Sequence, residues 1–253
     1  MSHSTWITGA SSGLGAALAR RMARAGDTLA VSARRREKLE ILAQEAGGDI
    51  HPVPLDVEDP AAVQAAVEGI ERDIGPIGQA VLNAGTHQPV DAKALKAEDF
   101  RKLVDVNLMG TVNSLAAVLP PMIARRRGRI ALVASVAGYR GLPTSAAYGM
   151  TKAGLINMAE ALRVELAPVG IVVQVVNPGF VRTPLTDRNE FPMPFLMEPE
   201  DAAEAFYRGL QSDRFEIAFP RRFVMLMKVL RCLPAPLAFA VTRRMLPKEG
   251  QSS

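Results

Sequence analysis

The sequence has a single cysteine, Cys232, in 253 residues, and only three histidines, His3, His51 and His87, all far apart. One thiol excludes an intrachain disulfide and fits a reducing compartment. Histidines and thiols this few, at no paired spacing, exclude a zinc motif. No charged start followed by an apolar stretch precedes the first apolar run near Thr5, so no secretory leader is expected. Repeats and internal linkers are missing as well. Charged residues make up 22% of the chain against 48% hydrophobic, a balance that excludes a disordered polymer.

The net charge of +4 is placed unevenly. Residues 220–253 carry seven Lys/Arg and one acid, net +6, so the remainder sums to −2. The basicity belongs to this tail and does not mark the main domain as a nucleic-acid binder. The cluster Arg125-Arg126-Arg127-Gly128-Arg129 reads as neutralising a helix C-terminus.

Short apolar runs alternate with longer segments of helical period. The runs at 5–8, 28–33, 50–55, 80–83, 129–134, 171–176 and 215–219 read as buried parallel strands. Segments 13–25, 35–46, 60–74, 97–126, 146–167 and 199–211 read as helices. Asp59-Pro60 and Glu198-Pro199 are helix starts, and Gly26, Gly47 and Gly170 sit where helices end. The pattern predicts an α/β fold: one doubly wound parallel sheet of seven strands with helices on both faces, over 1–219. Residues 220–253 are an extension, not an independent domain.

The first strand runs into Gly9-Ala10-Ser11-Ser12-Gly13-Leu14-Gly15 and then a helix. Glycines there permit a sharp turn and let a pyrophosphate approach the positive end of the helix. The end of the second strand carries Arg34-Arg35-Arg36 where NAD binders place a carboxylate. Arginines there suit a ribose 2′-phosphate, so NADP(H) is expected over NAD(H). Tyr148 and Lys152, four residues apart, share one helix face, where an ammonium could favour an ionised phenol.

With these residues in place the chain resembles the short-chain dehydrogenase/reductase family, in its compact single-domain Rossmann-type branch, from Thr5 to about Phe219. Thr8-Gly9, Gly13 and Gly15 match the family's cofactor turn, with Ser11, Ser12 and Leu14 inside it; Asp56-Val57 matches its adenine contact. Asn83-Ala84-Gly85 matches the motif ending strand four, and Pro178-Gly179, Val181 and Thr183 the segment holding the carboxamide. Asn107, Ser135, Tyr148 and Lys152 match the catalytic tetrad.

The resemblance implies that Tyr148 exchanges a proton with the substrate oxygen while Ser135 orients it. It implies that Lys152 tunes the tyrosine and holds the ribose, and that Asn107, at a helix irregularity, holds a relay water. It also implies a homo-oligomer, dimer or tetramer, acting on a small-molecule carbonyl or alcohol in the cytoplasm. Two features depart from it: Ser12 stands where some NADP-preferring members have a basic residue, and the chain continues past Phe219. An NAD-linked alcohol or hydroxysteroid dehydrogenase, or a catalytically silent nucleotide-binding regulator, remain alternatives.

The segment Pro184–Glu198 reads as a lid, and its Leu185, Phe191, Met193, Phe195, Leu196 and Met197 suit a hydrophobic substrate or simple packing. The tail has too many charges and prolines to span a membrane. It reads as two amphipathic helices kinked at Pro234–Pro236. Through 220–246 these would meet an anionic membrane surface at the inner face, or pack as a cap or interface.

Overall fold

The structure is a computed structural model that describes residues 3–184, 186 and 193–246. Seven strands form one wholly parallel sheet in the order β3-β2-β1-β4-β5-β6-β7. They are β1 (Ser4–Thr8), β2 (Leu29–Ser32), β3 (Ile50–Pro52), β4 (Ile77–Leu82), β5 (Gly128–Val133), β6 (Ile171–Pro178) and β7 (Glu216–Phe219). The helices between them are α1 (Gly13–Ala23), α2 (Arg36–Ala46), α3 (Pro60–Asp73), α4 (Ala97–Leu103), α5 (Gly110–Ala124), α6 (Ala146–Leu166) and α7 (Pro199–Leu210).

Strand side chains alternate between two cores. Trp6, Ala80, Ile130 and Val175 join one with Val67, Val118 and Leu155, while Ile7, Val81, Ala131 and Val176 join the other with Leu18, Leu39 and Phe206. A period of two in strands buried on both faces gives apolar runs without polar gaps. The sequence order reverses between β1 and β4, which opens a crevice at their carboxyl ends.

Several boundaries differ from the sequence reading. The helix expected over 97–126 is interrupted by a π-helical turn, Val104–Met109, with Asn107 in it, the irregularity that the family resemblance implies at that residue. Strand β4 starts at Ile77, three residues early, across a Pro-Ile-Gly that reads as a breaker. A Cβ on Gly78 would fall 2.4 Å from the ring of the exposed His3, so a side chain there would displace that ring. On the edge, β3 ends at Pro52, yet Val53 and Leu55 still donate to Val31 and Ala33; Pro54 between them faces away from β2, where an edge strand tolerates the missing N–H. Asp59 caps α3 through Ala61 and Ala62, whereas Glu198 makes no cap and pairs with Arg182 at 2.9 Å.

The basic cluster at 125–129 ties elements together instead of only facing a helix end. Arg125 binds Glu71 and the Ile77 carbonyl, Arg126 the Pro168 carbonyl, and Arg129 Asp213 and the Ser212 carbonyl.

Beyond β7 the tail forms α8 (Arg221–Cys232) and α9 (Ala235–Arg243). The break falls at Leu233-Pro234, and Pro236 lies within the first turn of α9, where proline is tolerated. Phe223, Val224, Met227, Leu230 and Ala238 pack into the core cluster shared with Trp6 and Val118.

Candidate active site

The glycine turn sits at the crevice between β1 and β4. Gly9 has φ of +68°, and a Cβ on it would fall 2.7 Å from the Ala84 Cα. A Cβ on Gly15 would fall 2.5 Å from both the Asn83 Nδ2 and the Gly9 carbonyl oxygen. Asn83 holds the turn by donating to the Thr8 and Gly9 carbonyls at 3.1 and 3.2 Å. The Thr8 hydroxyl accepts from the Asn83 and Ala84 amides, both at 3.0 Å. Strand-four residues thus brace the strand-one turn and leave its outer rim to backbone.

Helix α1 opens behind that turn with no side-chain cap and no acidic residue in its first turn. Its leading amides are therefore free to meet an anion at the positive end of the dipole. The Ser12 hydroxyl that stands at the cap position accepts instead from Arg35, at 3.2 Å, and the Ser11 hydroxyl does so at 2.9 Å. Arg34 is exposed and lies 4.0 Å from Asp56. No carboxylate ends β2. Arg35 is drawn over the turn while Arg34 stays at the rim, so the two arginines expected to share one role differ in placement.

Asp56 accepts from the Glu58 amide at 3.1 Å, and Val57 is buried, its carbonyl accepting from Asn113 at 2.9 Å. Thr183 approaches from the far side, 2.9 Å from where a Gly13 Cβ would be. Val181 is buried and bridges Met197, and Gly179 donates to the Phe219 carbonyl at 2.7 Å. These contacts bring 178–183 against the turn.

Tyr148 and Lys152 lie one turn apart on α6, with the Lys152 Nζ 5.5 Å from the phenol ring centroid. Lys152 is buried, and among the described residues its ammonium has one acceptor, the Val133 carbonyl at 2.8 Å. A lysine has three donors, so two of its N–H groups have no acceptor among the described residues. Burial lowers this ammonium to about 8. Tyr148 moves the opposite way: burial pushes its phenol up, and the Ser135 hydroxyl offsets part of that. The sequence reading expected Lys152 to favour the ionised phenol. With the ammonium at this distance and itself weakened by burial, desolvation of the phenolate dominates.

Ser135 follows β5 in extended backbone; its hydroxyl accepts from the Ala137 amide at 3.1 Å and makes a long contact to the Pro178 carbonyl at 3.5 Å. Asn107 is fully buried in the π-turn. Its amide donates to the Thr86 carbonyl and the Thr151 hydroxyl, both at 3.0 Å, and accepts from the Thr86 amide at 2.7 Å. Both side-chain hydrogens are spent on tying the loop after β4 to α6. A Cβ on Gly85 would fall 3.2 Å from the Asn107 Oδ1 and 3.5 Å from the Lys152 Nζ, so Gly85 lies where those two groups converge and a side chain there would crowd them.

Sequence reasoning missed His87, whose ring meets Tyr148 edge-on at 4.7 Å, and Thr151, which accepts from Asn107. His87 lies in an aperiodic loop, where spacing carries no signal. Of the lid, Leu185 and Phe191 lie outside the described residues. Phe195 is 43% exposed and Met197 packs on the core, so the segment both packs and presents an apolar edge. Phe195 and Phe180 both face Phe223 of α8, at 6.2 and 5.3 Å.

The donor set, glycine cradle and arginines fit a phosphorylated dinucleotide. Comparison with known proteins agrees. The short chain dehydrogenase family profile matches residues 4–192. An uncharacterized oxidoreductase of Myxococcus xanthus is 41% identical over 242 residues, 94% of this chain and 96% of its own. A short-chain dehydrogenase from Sphingobium yanoikuyae in complex with NADPH superposes with TM-score 0.79 at 30% identity, covering 99% of this chain and 98% of that one. A 3-oxoacyl-[acyl-carrier protein] reductase with bound NAD from Brucella melitensis gives 0.75 at 28% identity, covering 85% and 89%. With the crevice, the cradle and this likeness in agreement, the chain belongs to the short-chain dehydrogenase/reductase family and is an NAD(P)-dependent oxidoreductase.

Proposed function

We propose that this enzyme reduces the carbonyl of a lipophilic small molecule to an alcohol with NADPH, Tyr148 supplying the proton. The observation that carries the cofactor choice is Arg35 bound to Ser11 and Ser12 over the phosphate turn, with no carboxylate at the end of β2. A guanidinium so placed would form charge-assisted bonds to a 2′-phosphate. The solved relatives include both an NADPH and an NAD complex, so the family alone does not choose between the two.

When bound, the nicotinamide supplies hydride to the carbonyl carbon. The chain's residues do the rest. Lys152 would turn its two unspent donors to the ribose hydroxyls, and Thr183 would hold the carboxamide end. The Ser135 hydroxyl would donate to the carbonyl oxygen and stabilise the charge that develops there. Tyr148, kept protonated by burial, would deliver its proton to that oxygen. Asn107 acts by position, locking the loop that carries Gly85 against α6. Phe180, Phe195 and Phe223 would form the apolar wall that receives the substrate.

A panel of aldehydes, ketones and long-chain alcohols, assayed with both cofactors by nicotinamide absorbance, tests the proposal. The expected result is NADPH-dependent reduction of an apolar ketone or aldehyde, with kcat/KM at least about tenfold above that with NADH. Equal use of both cofactors, or turnover of polar substrates only, would contradict it.

A further inference from the structure

Among the described residues, eight of the sixteen large apolar side chains left exposed lie between Met225 and Leu246. Their arrangement is not random. Helix α8 buries Phe223, Val224, Met227 and Leu230, and turns Met225, Leu226 and Val229 outward, at 62%, 57% and 58% exposure. Helix α9 buries Ala238 and Thr242 and exposes Leu237, Phe239 and Val241. Each helix is therefore apolar on two faces, of which the fold covers one.

The charges of this segment itself have one sign. Residues 220–246 contain Arg221, Arg222, Lys228, Arg231, Arg243 and Arg244 and no acid. Among the described residues Lys228 alone forms an ion pair, with Glu216. In sequence, Arg221-Arg222 open α8, and Arg243-Arg244 close α9 and follow its exposed apolar residues. A second copy of this face would set the five remaining arginines against five more, which disfavours self-association. An apolar stripe with basic ends is instead complementary to a surface that is apolar within and anionic at its edge.

We propose that the outer face of α8 and α9 docks on an anionic lipid bilayer, lying in the headgroup plane. Arg221, Arg222, Arg243 and Arg244 meet lipid phosphates while Met225, Leu226, Val229, Leu237 and Val241 enter the acyl boundary. The inner face of α8 contacts Phe195 and Phe180 through Phe223, so docking sets the apolar lid beside the membrane. The docking itself does not depend on the substrate reading.

The test is flotation of the full-length protein with vesicles of phosphatidylcholine alone, and of phosphatidylcholine with phosphatidylglycerol. Binding is expected to the phosphatidylglycerol vesicles, to weaken as salt rises, and to be near absent on phosphatidylcholine alone. Exchanging Arg221 and Arg222 for glutamine together should weaken it about tenfold or more. Leu226→Ser with Val229→Ser should do the same, with thermal melting and NADPH binding unchanged. No flotation with phosphatidylglycerol at low salt would overturn the proposal. So would a sedimentation experiment in which the wild type is an oligomer and the Leu226→Ser, Val229→Ser protein a smaller species, since a second copy would then own the face.

Discussion

At the scale of single residues the site is governed by desolvation. Lys152 has no carboxylate partner and one carbonyl acceptor among the described residues, and burial brings its ammonium to about 8. Its cation is present below that pH and lost above it. NADPH affinity, and kcat/KM for reduction, should therefore fall as pH rises through about 8, and Lys152→Met should abolish that limb along with most activity. The same buried charge opposes folding: between its folded and unfolded values the unfolded chain binds more protons, so stability rises with pH across that window. Lys152→Met is accordingly expected to melt higher at neutral pH, by an amount of order 1 kcal/mol. A variant less stable than wild type at neutral pH would refute this reading of the site. Arg35→Ala should weaken NADPH about tenfold to thirtyfold and leave NADH within about twofold, the loss expected for one charge-assisted contact. Fluorescence titration with each cofactor measures both.

At the scale of elements, what was legible in the sequence was what periodicity and glycine carry. The strands, the turn at Gly9–Gly15 and the order of motifs follow from alternation and from positions where a Cβ does not fit. The π-turn around Asn107 was not read from spacing; the irregularity there was implied by the family resemblance alone, and the structure has it. The role of His87 was hidden in a loop. Nor could the sequence show how the tail is pinned.

Glu216 of β7 accepts from Tyr139 and Lys228, and from Asn177 at 2.8 Å. Burial works to raise this carboxyl, but those three donors more than offset it and hold it below the usual range. Stability from a depressed carboxyl is present above its unfolded value and lost as pH falls through the folded one. Glu216→Gln should therefore cost about 1–3 kcal/mol at neutral pH and flatten the acid side of melting temperature against pH. An unchanged acid side would mean that Glu216 does not anchor the network. Because Tyr139 lies four residues after Ser135, and Asn177 just before Pro178-Gly179, this anchor also steadies two walls of the site.

At the scale of the whole molecule, one parallel sheet places every group at one edge. The turn after β1, the loop after β4, Ser135 after β5 and the 178–183 segment after β6 all leave carboxyl ends of strands. The reversal of strand order between β1 and β4 opens the space they share. Helix α6 then brings Tyr148 and Lys152 across that edge. This architecture assembles the site for the family's nicotinamide chemistry; on the proposed function, the aromatic wall and the tail would bear on what is reduced and where.

On the proposed mechanism Tyr148 delivers the proton in a site whose cofactor binding does not depend on its hydroxyl. Tyr148→Phe removes one oxygen and leaves the ring against His87. With a ketone that the wild type reduces, kcat should drop about 10²-fold to 10⁴-fold or more, while NADPH titrates within about twofold of wild type, the cofactor being held by groups that the substitution leaves in place. Turnover retained within about tenfold of wild type, smaller than the loss of a general acid allows, would contradict it.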